Sequence, residues 1–128
     1  VQEARFRFAV GDRLRLRIRV NRECHLWVVN IGPNDSQTTL IPNKSLSSPL
    51  IASNEWYTCP PDHNPFSFPL LGPPGLETLV TIATSKAVRS LDGRLPSSLA
   101  VGDKLPEDLT DGGGAYVLGR SATAFEIV

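Results

Sequence analysis

The sequence contains no methionine, only two cysteines and only two histidines among its 128 residues. Two cysteines cannot form a disulfide framework, and a chain of this length can bury a core without one. The sequence also lacks any apolar run close to the roughly 20 residues that a membrane-spanning helix needs. Because the chain begins at Val1 and has no methionine, we expect it to be a domain cut from a longer protein.

The sequence has no excess of charge of either sign, since 13 lysines and arginines balance 13 acidic residues. A neutral chain has no overall field that attracts nucleic acid, so we expect no nucleic-acid partner. The charges are nevertheless segregated. Residues 1–22 hold seven arginines, whereas residues 106–128 hold four acidic residues and one arginine. We expect this basic front and acidic end to neutralise each other within one sheet.

The clearest local pattern is the segment 13–20, which alternates arginine with leucine, isoleucine or valine without interruption. Alternation with a period of two indicates a β-strand with one buried and one exposed face. The predicted outward face carries Arg13, Arg15, Arg17 and Arg19. The predicted inward face carries Leu14, Leu16, Ile18 and Val20.

Other β-rich segments follow at intervals of about ten residues, with turn-forming residues between them. The segment 25–31 is apolar on both faces, which predicts a central strand that is covered on both sides. Eight of the eleven prolines lie between Pro42 and Pro74, so we expect an irregular middle with short strands around residues 56–57 and 66–70. The similar segments 9–14 and 100–105 are better explained by recurring turn residues than by duplication.

These signals predict an all-β fold and one domain over residues 1–128. We expect an antiparallel β-sandwich, immunoglobulin-like in general architecture, with at most one short helix, near Pro106. Besides the inward face of segment 13–20, the predicted core includes Leu26, Val28, Val80 and Ile82.

Few residues suit catalysis or metal binding. Cys59 and His63 have an acceptable spacing for zinc, but Cys24 and His25 are adjacent on a predicted strand and should point to opposite faces. The two cysteines either pair once or stay as buried free thiols, and burial makes a thiol inert. There is no serine elbow motif and no phosphate-binding loop. We therefore expect no catalytic residue, no metal and no cofactor.

Two surface features are candidates for binding. The row of Arg13, Arg15, Arg17 and Arg19 could clamp an acidic or phosphorylated partner, although a solvated face or a charge-protected edge explains the same pattern. Trp56 and Tyr57, in the proline-rich middle, could form a platform for carbohydrate or peptide, although loop aromatics often anchor on the core.

Four segments, in order, resemble the family known as bacterial domain of unknown function 4384. Residues 8–18 resemble its opening, residues 25–31 its apolar strand, residues 39–43 its "TLLFPN" motif and residues 68–77 its "GPPGTE" corner. Departures are His25, where tyrosine is usual, and Leu40-Ile41, which lack the usual phenylalanine. The resemblance implies an accessory β domain, often appended to protein kinases, caspase-like peptidases or envelope-associated proteins, without assigned catalytic residues.

We therefore expect a non-enzymatic interaction or regulatory module, in the bacterial cytoplasm or cell envelope, that binds a protein partner or a neighbouring domain of the same chain. One alternative is a module that binds carbohydrate or an envelope polymer, which an exposed Trp56 and Tyr57 would favour. A second alternative is a small hydrolase that uses Cys24 or Cys59, which would need a histidine within hydrogen-bond reach.

Overall fold

The computed structural model describes residues 6–61, 67–89, 95–96 and 98–128. In this part of the chain the regular secondary structure is almost all β-strand, and the predicted all-β, sandwich-like fold is confirmed. The strands are β1 (Phe6–Phe8), β2 (Arg13–Leu14), β3 (Leu16–Arg19), β4 (Cys24–Ile31), β5 (Gln37–Ile41), β6 (Leu50–Ile51), β7 (Trp56–Cys59), β8 (Phe68–Pro69), β9 (Gly75–Thr84) and β10 (Val117–Ile127). A single 3-10 turn, Glu107–Leu109, follows Pro106 where a short helix was expected.

The larger layer is a six-stranded sheet in the order β1-β10-β9-β4-β5, with β6 paired to the start of β4. Its long central strands pair antiparallel with one another, β10 with β9 and β9 with β4. The edge strand β1 instead runs parallel to β10, with Phe6 beside Phe125. This parallel pair departs from the purely antiparallel arrangement expected from the sequence. It joins the first and the last of the strands that the structure describes.

The smaller layer is formed by the arginine-rich segment and the proline-rich middle. β2 pairs with β8, and β3 pairs with β7, so that Leu16 lies opposite Cys59 and Arg19 opposite Trp56. The predicted alternation is confirmed. Leu14 and Leu16 are buried, Ile18 and Val20 are half-buried against the core, and all four arginines of the segment are exposed.

The core is divided in two by the larger sheet, because β4 is buried on both faces as the sequence indicated. Leu26 and Val28 face the smaller layer, whereas Trp27 and Val29 face the opposite side. Val80 and Ile82 are buried as predicted, but they pack with Trp27 and not with the leucines of segment 13–20. Buried side chains of the segment after β9 complete this second core: Val88, Leu95, Leu99, Leu105, Leu109 and Ala115.

The segment that covers the second core is held by an isolated backbone bridge between Lys104 and Tyr116 and by hydrogen bonds of side chains. The side-chain amide of Gln37 donates to the Leu95 carbonyl (3.0 Å) and accepts from the Leu95 N–H (2.8 Å). The Lys86 ammonium donates to the Gly113 carbonyl (2.8 Å), and Arg120 donates to the Leu99 carbonyl. No helix in the described part of the chain has the length and apolarity needed to cross a membrane.

Candidate functional site

Three of the predicted site residues meet on the outer face of the β3–β7 pair. The guanidinium carbon of Arg17 lies 4.6 Å from the centroid of the Trp56 ring, and that of Arg19 lies 5.8 Å from it. Alternate residues of a strand are ~6.7 Å apart on one face, so one indole can contact both guanidinium groups. Both distances fall within the range of a cation–π contact. We call Arg17, Arg19 and Trp56 the arginine–tryptophan surface.

The Trp56 side chain is available to a partner, because the residue keeps 56% of its surface exposed. Tyr57 does not join it. As the next residue of β7, Tyr57 points to the opposite face, where it is half-buried opposite Ile18. Burial raises the pKa of its hydroxyl, as expected for a phenol that faces the core. The sequence could not predict which of two adjacent aromatics would be exposed.

The other two arginines of the row extend the basic face without contacting Trp56. Arg13 is exposed on β2 opposite Pro69, and Arg15 is exposed between β2 and β3. Glu126 pairs with Arg7 (3.2 Å) along the β1–β10 edge, and Glu77 is buried in the larger sheet. The Arg7–Glu126 pair thus joins the basic front of the chain to its acidic end, as expected from the sequence.

A groove of about 580 Å³ adjoins the arginine–tryptophan surface and separates β3 from β10. Its lining includes the exposed Phe6 ring and the hydroxyl groups of Ser121 and Thr123. The ring of Phe8 meets that of Phe125 edge to face, with centroids 5.7 Å apart, among the lining residues. None of these residues carries a sequence signal for binding, since they come from opposite ends of the chain and only the β1–β10 pairing unites them.

Both strands that border the groove have an open edge in the part of the chain that the structure describes. β3 pairs with β7 along one edge only, and β1 covers β10 only from Phe125 to Ile127. Backbone N–H and C=O groups at an open edge can pair with another extended chain. The groove thus combines a basic aromatic rim, an apolar and hydroxyl lining and free strand edges, which suits an extended polypeptide.

The cysteines do not form a reactive centre. Cys24 and Cys59 are both buried free thiols, and no disulfide joins them. Burial raises the pKa of the Cys24 thiol, as expected from its apolar strand. Burial also raises the pKa of the Cys59 thiol to about 11, and the neighbouring Tyr57 hydroxyl offsets this only in part. Thiols with raised pKa values are poor nucleophiles at neutral pH.

The residues considered for zinc are not brought together where the structure describes them. Cys24 is buried, whereas His25 is half-buried with Nδ1 3.2 Å from the Ser48 carbonyl. His63 lies outside the described residues. Among those described, no group of three or more histidine, cysteine, aspartate or glutamate side chains is arranged to hold a metal ion.

Comparison with known proteins gives one result. The chain matches the family described as "Domain of unknown function (DUF4384)" over residues 7–87. No curated protein and no solved structure matches it significantly. The matched region includes β2 to β9 and the whole arginine–tryptophan surface, whereas β10 and the segment that covers the second core lie beyond it. Since the match spans more than half of the sequence, the chain belongs to the DUF4384 family of domains of unknown function.

Proposed function

We propose that this domain is a non-enzymatic interaction module that binds an acidic, extended segment of a protein partner or of a neighbouring domain. The arginine–tryptophan surface would provide the contact. The observation that carries this proposal is the exposed Trp56 ring with two guanidinium groups against it. Tryptophan and arginine are the residues that most often supply the binding energy of a protein interface.

The charges that line the groove are the reason why we propose an acidic partner. Arg17 and Arg19 line the groove, whereas no acidic residue is among the described residues that line it. A guanidinium group presents a planar set of donors that matches a carboxylate in a bidentate arrangement. Contact with the indole ring restrains Arg17 and Arg19 before binding, which reduces the entropy lost when the partner docks. The basic rim thus favours an acidic partner even though the whole chain is neutral.

The two alternative functions have less support. A carbohydrate platform is favoured by the exposure of Trp56, but Tyr57 faces inward and the Trp56 ring is already in contact with guanidinium groups. A cysteine-dependent hydrolase would need an accessible thiolate. Cys24 and Cys59 are buried thiols whose pKa values are raised.

The test uses a fluorescein-labelled peptide of alternating glutamate and valine, followed by fluorescence anisotropy. The purified domain should bind this peptide, and binding should weaken with added salt. The double variant Arg17→Glu/Arg19→Glu should weaken binding by about a hundredfold, since it replaces two attractive charges by two repulsive ones. Arg22→Glu is the matched control, because Arg22 is exposed nearby but does not line the groove.

The melting temperature of each variant separates lost docking from lost structure. Exposed charges change stability by about 0.5 kcal/mol or less, so the double variant should melt close to the unaltered protein. Equal affinity of the double variant and the unaltered domain would disprove the proposal, as would equal binding of a lysine–valine peptide. Binding of a soluble envelope polysaccharide that is lost in Trp56→Ala would favour the carbohydrate alternative instead.

A further inference from the structure

A second pocket opens between the two layers, away from the arginine–tryptophan surface. It has a volume of about 360 Å³ and shares only Leu14 with the groove described above. Its apolar lining includes Leu40, Phe68 and Ile127. This size is at the small end of the range for ligand pockets, so a small ligand or one side chain of a partner would fill it.

The polar end of this pocket holds a buried carboxylate. Glu77 is 8% exposed although it lies on β9, where the preceding apolar residue Leu76 is 44% exposed. The burial of these two neighbours is the reverse of what their side chains prefer. Such local inversions tend to occur at functional sites, because a fold tolerates them there at a cost in stability.

Glu77 is only partly satisfied by hydrogen bonds. Its Oε1 accepts from Nδ2 of Asn30 at 3.1 Å. Its Oε2 and the Oδ1 of Asn30 are both buried, and neither has a hydrogen-bond partner among the described residues. None of the described residues that line the pocket is a lysine, arginine or histidine. Glu77 and Asn30 thus line the pocket with a carboxylate that faces no cationic side chain of the described lining, and each holds a buried acceptor without a donor, which is unfavourable.

We infer that this pocket binds an alkylammonium or alkylguanidinium group, with its cationic head on Glu77 and Asn30 and its alkyl chain along the apolar lining. An ammonium carries three donors and one positive charge, which match two free acceptors and one carboxylate. The group can belong to a free amine or to a lysine or arginine side chain of a partner. A calcium ion fits less well, because it requires six to eight oxygen ligands.

This inference does not depend on the proposed function, because the two sites have different residues and opposite charge. The arginine–tryptophan surface selects acidic groups, whereas the Glu77 pocket selects basic ones. Loss of one activity through its own substitutions should leave the other unchanged. A failed test of one site therefore says nothing against the other.

The experiment is an amide NMR titration of the whole domain with n-butylammonium chloride. We expect saturable shifts at residues that line the pocket, among them Asn30 and Gly32. n-Butanol, which has the same chain without the charge, should bind at least about tenfold more weakly. N-acetyl-lysine N-methylamide distinguishes the two sources: tighter binding than butylammonium assigns the site to a protein side chain, and weaker binding assigns it to a free amine.

Glu77→Gln removes the charge and keeps the size of the side chain. It should weaken butylammonium binding by about tenfold or more, the scale of one charge-assisted hydrogen bond. Glu126→Gln is the matched control, since Glu126 lies on the adjacent strand β10 but does not line the pocket. The inference is wrong if butylammonium does not bind the unaltered domain, or if Glu77→Gln binds it equally well.

A second variant keeps the test decisive if Glu77→Gln does not fold. Thr38 is exposed, lines the pocket and lies opposite Asn30 in the β4–β5 pair. Thr38→Lys would place a tethered ammonium beside Glu77, so it should abolish butylammonium binding and raise the melting temperature above that of Thr38→Gln. Unchanged binding in Thr38→Lys, with a melting temperature equal to that of Thr38→Gln, would overturn the inference.

Discussion

Arg19 lies directly opposite Trp56 in the β3–β7 pair, and the two side chains share the outer face of the smaller layer. The only other tryptophan, Trp27, is fully buried in the second core. The two indole rings therefore have opposite environments, which makes them convenient reporters of this surface.

Anionic and cationic quenchers should distinguish the two tryptophans. Because Arg17 and Arg19 attract anions, iodide should quench Trp56 more effectively than caesium does, and the difference should shrink with added salt. Arg17→Glu/Arg19→Glu should invert this preference. Trp56→Phe should remove most quenching and leave the blue-shifted emission of Trp27. Equal quenching by both ions in the unaltered protein would contradict the placement of the two arginines.

The second core should be as important for stability as the first. Leu109 is fully buried in it, and Leu109→Ala should lower the free energy of unfolding by about 2–5 kcal/mol. Leu71 is 78% exposed, and Leu71→Ala should change the free energy of unfolding by about 0.5 kcal/mol or less. Urea denaturation of both variants measures the difference. A small effect of Leu109→Ala would mean that the segment after β9 does not cover the sheet in solution.

Stability should fall at alkaline pH because of Cys59. Its pKa is raised from 9.0 to about 11, so above pH 9 the unfolded chain has lost a proton that the folded chain retains. The contribution of this thiol is therefore complete below pH 9 and is lost progressively as the pH rises towards 11. The raised pKa of the Tyr57 hydroxyl acts in the same direction.

The control for this titration is Cys59→Ala, measured by urea denaturation between neutral pH and pH 11. The variant should be less stable overall, because it leaves a cavity, but its stability should depend less on pH. Reaction with a thiol reagent should be slow in the folded protein and fast after unfolding, since both cysteines are buried. An unchanged pH dependence in Cys59→Ala would assign the effect to Tyr57 or to Cys24, whose pKa values are also raised.

A fragment that ends at residue 87, the end of the family match, should not fold on its own. It lacks β10, which pairs with both β1 and β9, and it lacks the side chains that cover Trp27 and Ile82. We expect an aggregating or unfolded fragment by circular dichroism and gel filtration. Cooperative unfolding of the fragment would contradict this prediction. It would show that the fold does not require β10 or the segment that covers the second core.

Sequence alone predicted those features that are encoded in neighbouring residues. The alternation in segment 13–20 predicted which side chains of β2 and β3 point inward. The apolar segment 25–31 predicted that β4 is buried on both faces. The similar segments 9–14 and 100–105 also behave as turn signals. In both, the aspartate side chain accepts from an N–H three residues earlier: Asp12 from Ala9 and Asp103 from Ala100, each at 2.8 Å.

Features that depend on distant pairing were not predictable in this way. Whether Trp56 or Tyr57 faces outward depends on the register of β7 against β3, which no local pattern sets. The inward position of Glu77 depends on its neighbour Asn30, 47 residues away in the chain. The cover over the second core has no repeating apolar period, because its buried residues come from turns and loops.

The parallel pairing of β1 with β10 has a consequence for the order in which the molecule assembles. Phe6 meets Phe125 across nearly the whole length of the chain, and β10 also completes the hydrogen bonding of β9. Contacts between residues so far apart form slowly, because closing a long loop costs entropy before the contact stabilises it. During synthesis β1 therefore stays unpaired with β10 until β10 has left the ribosome, and only then can this edge of the sheet form.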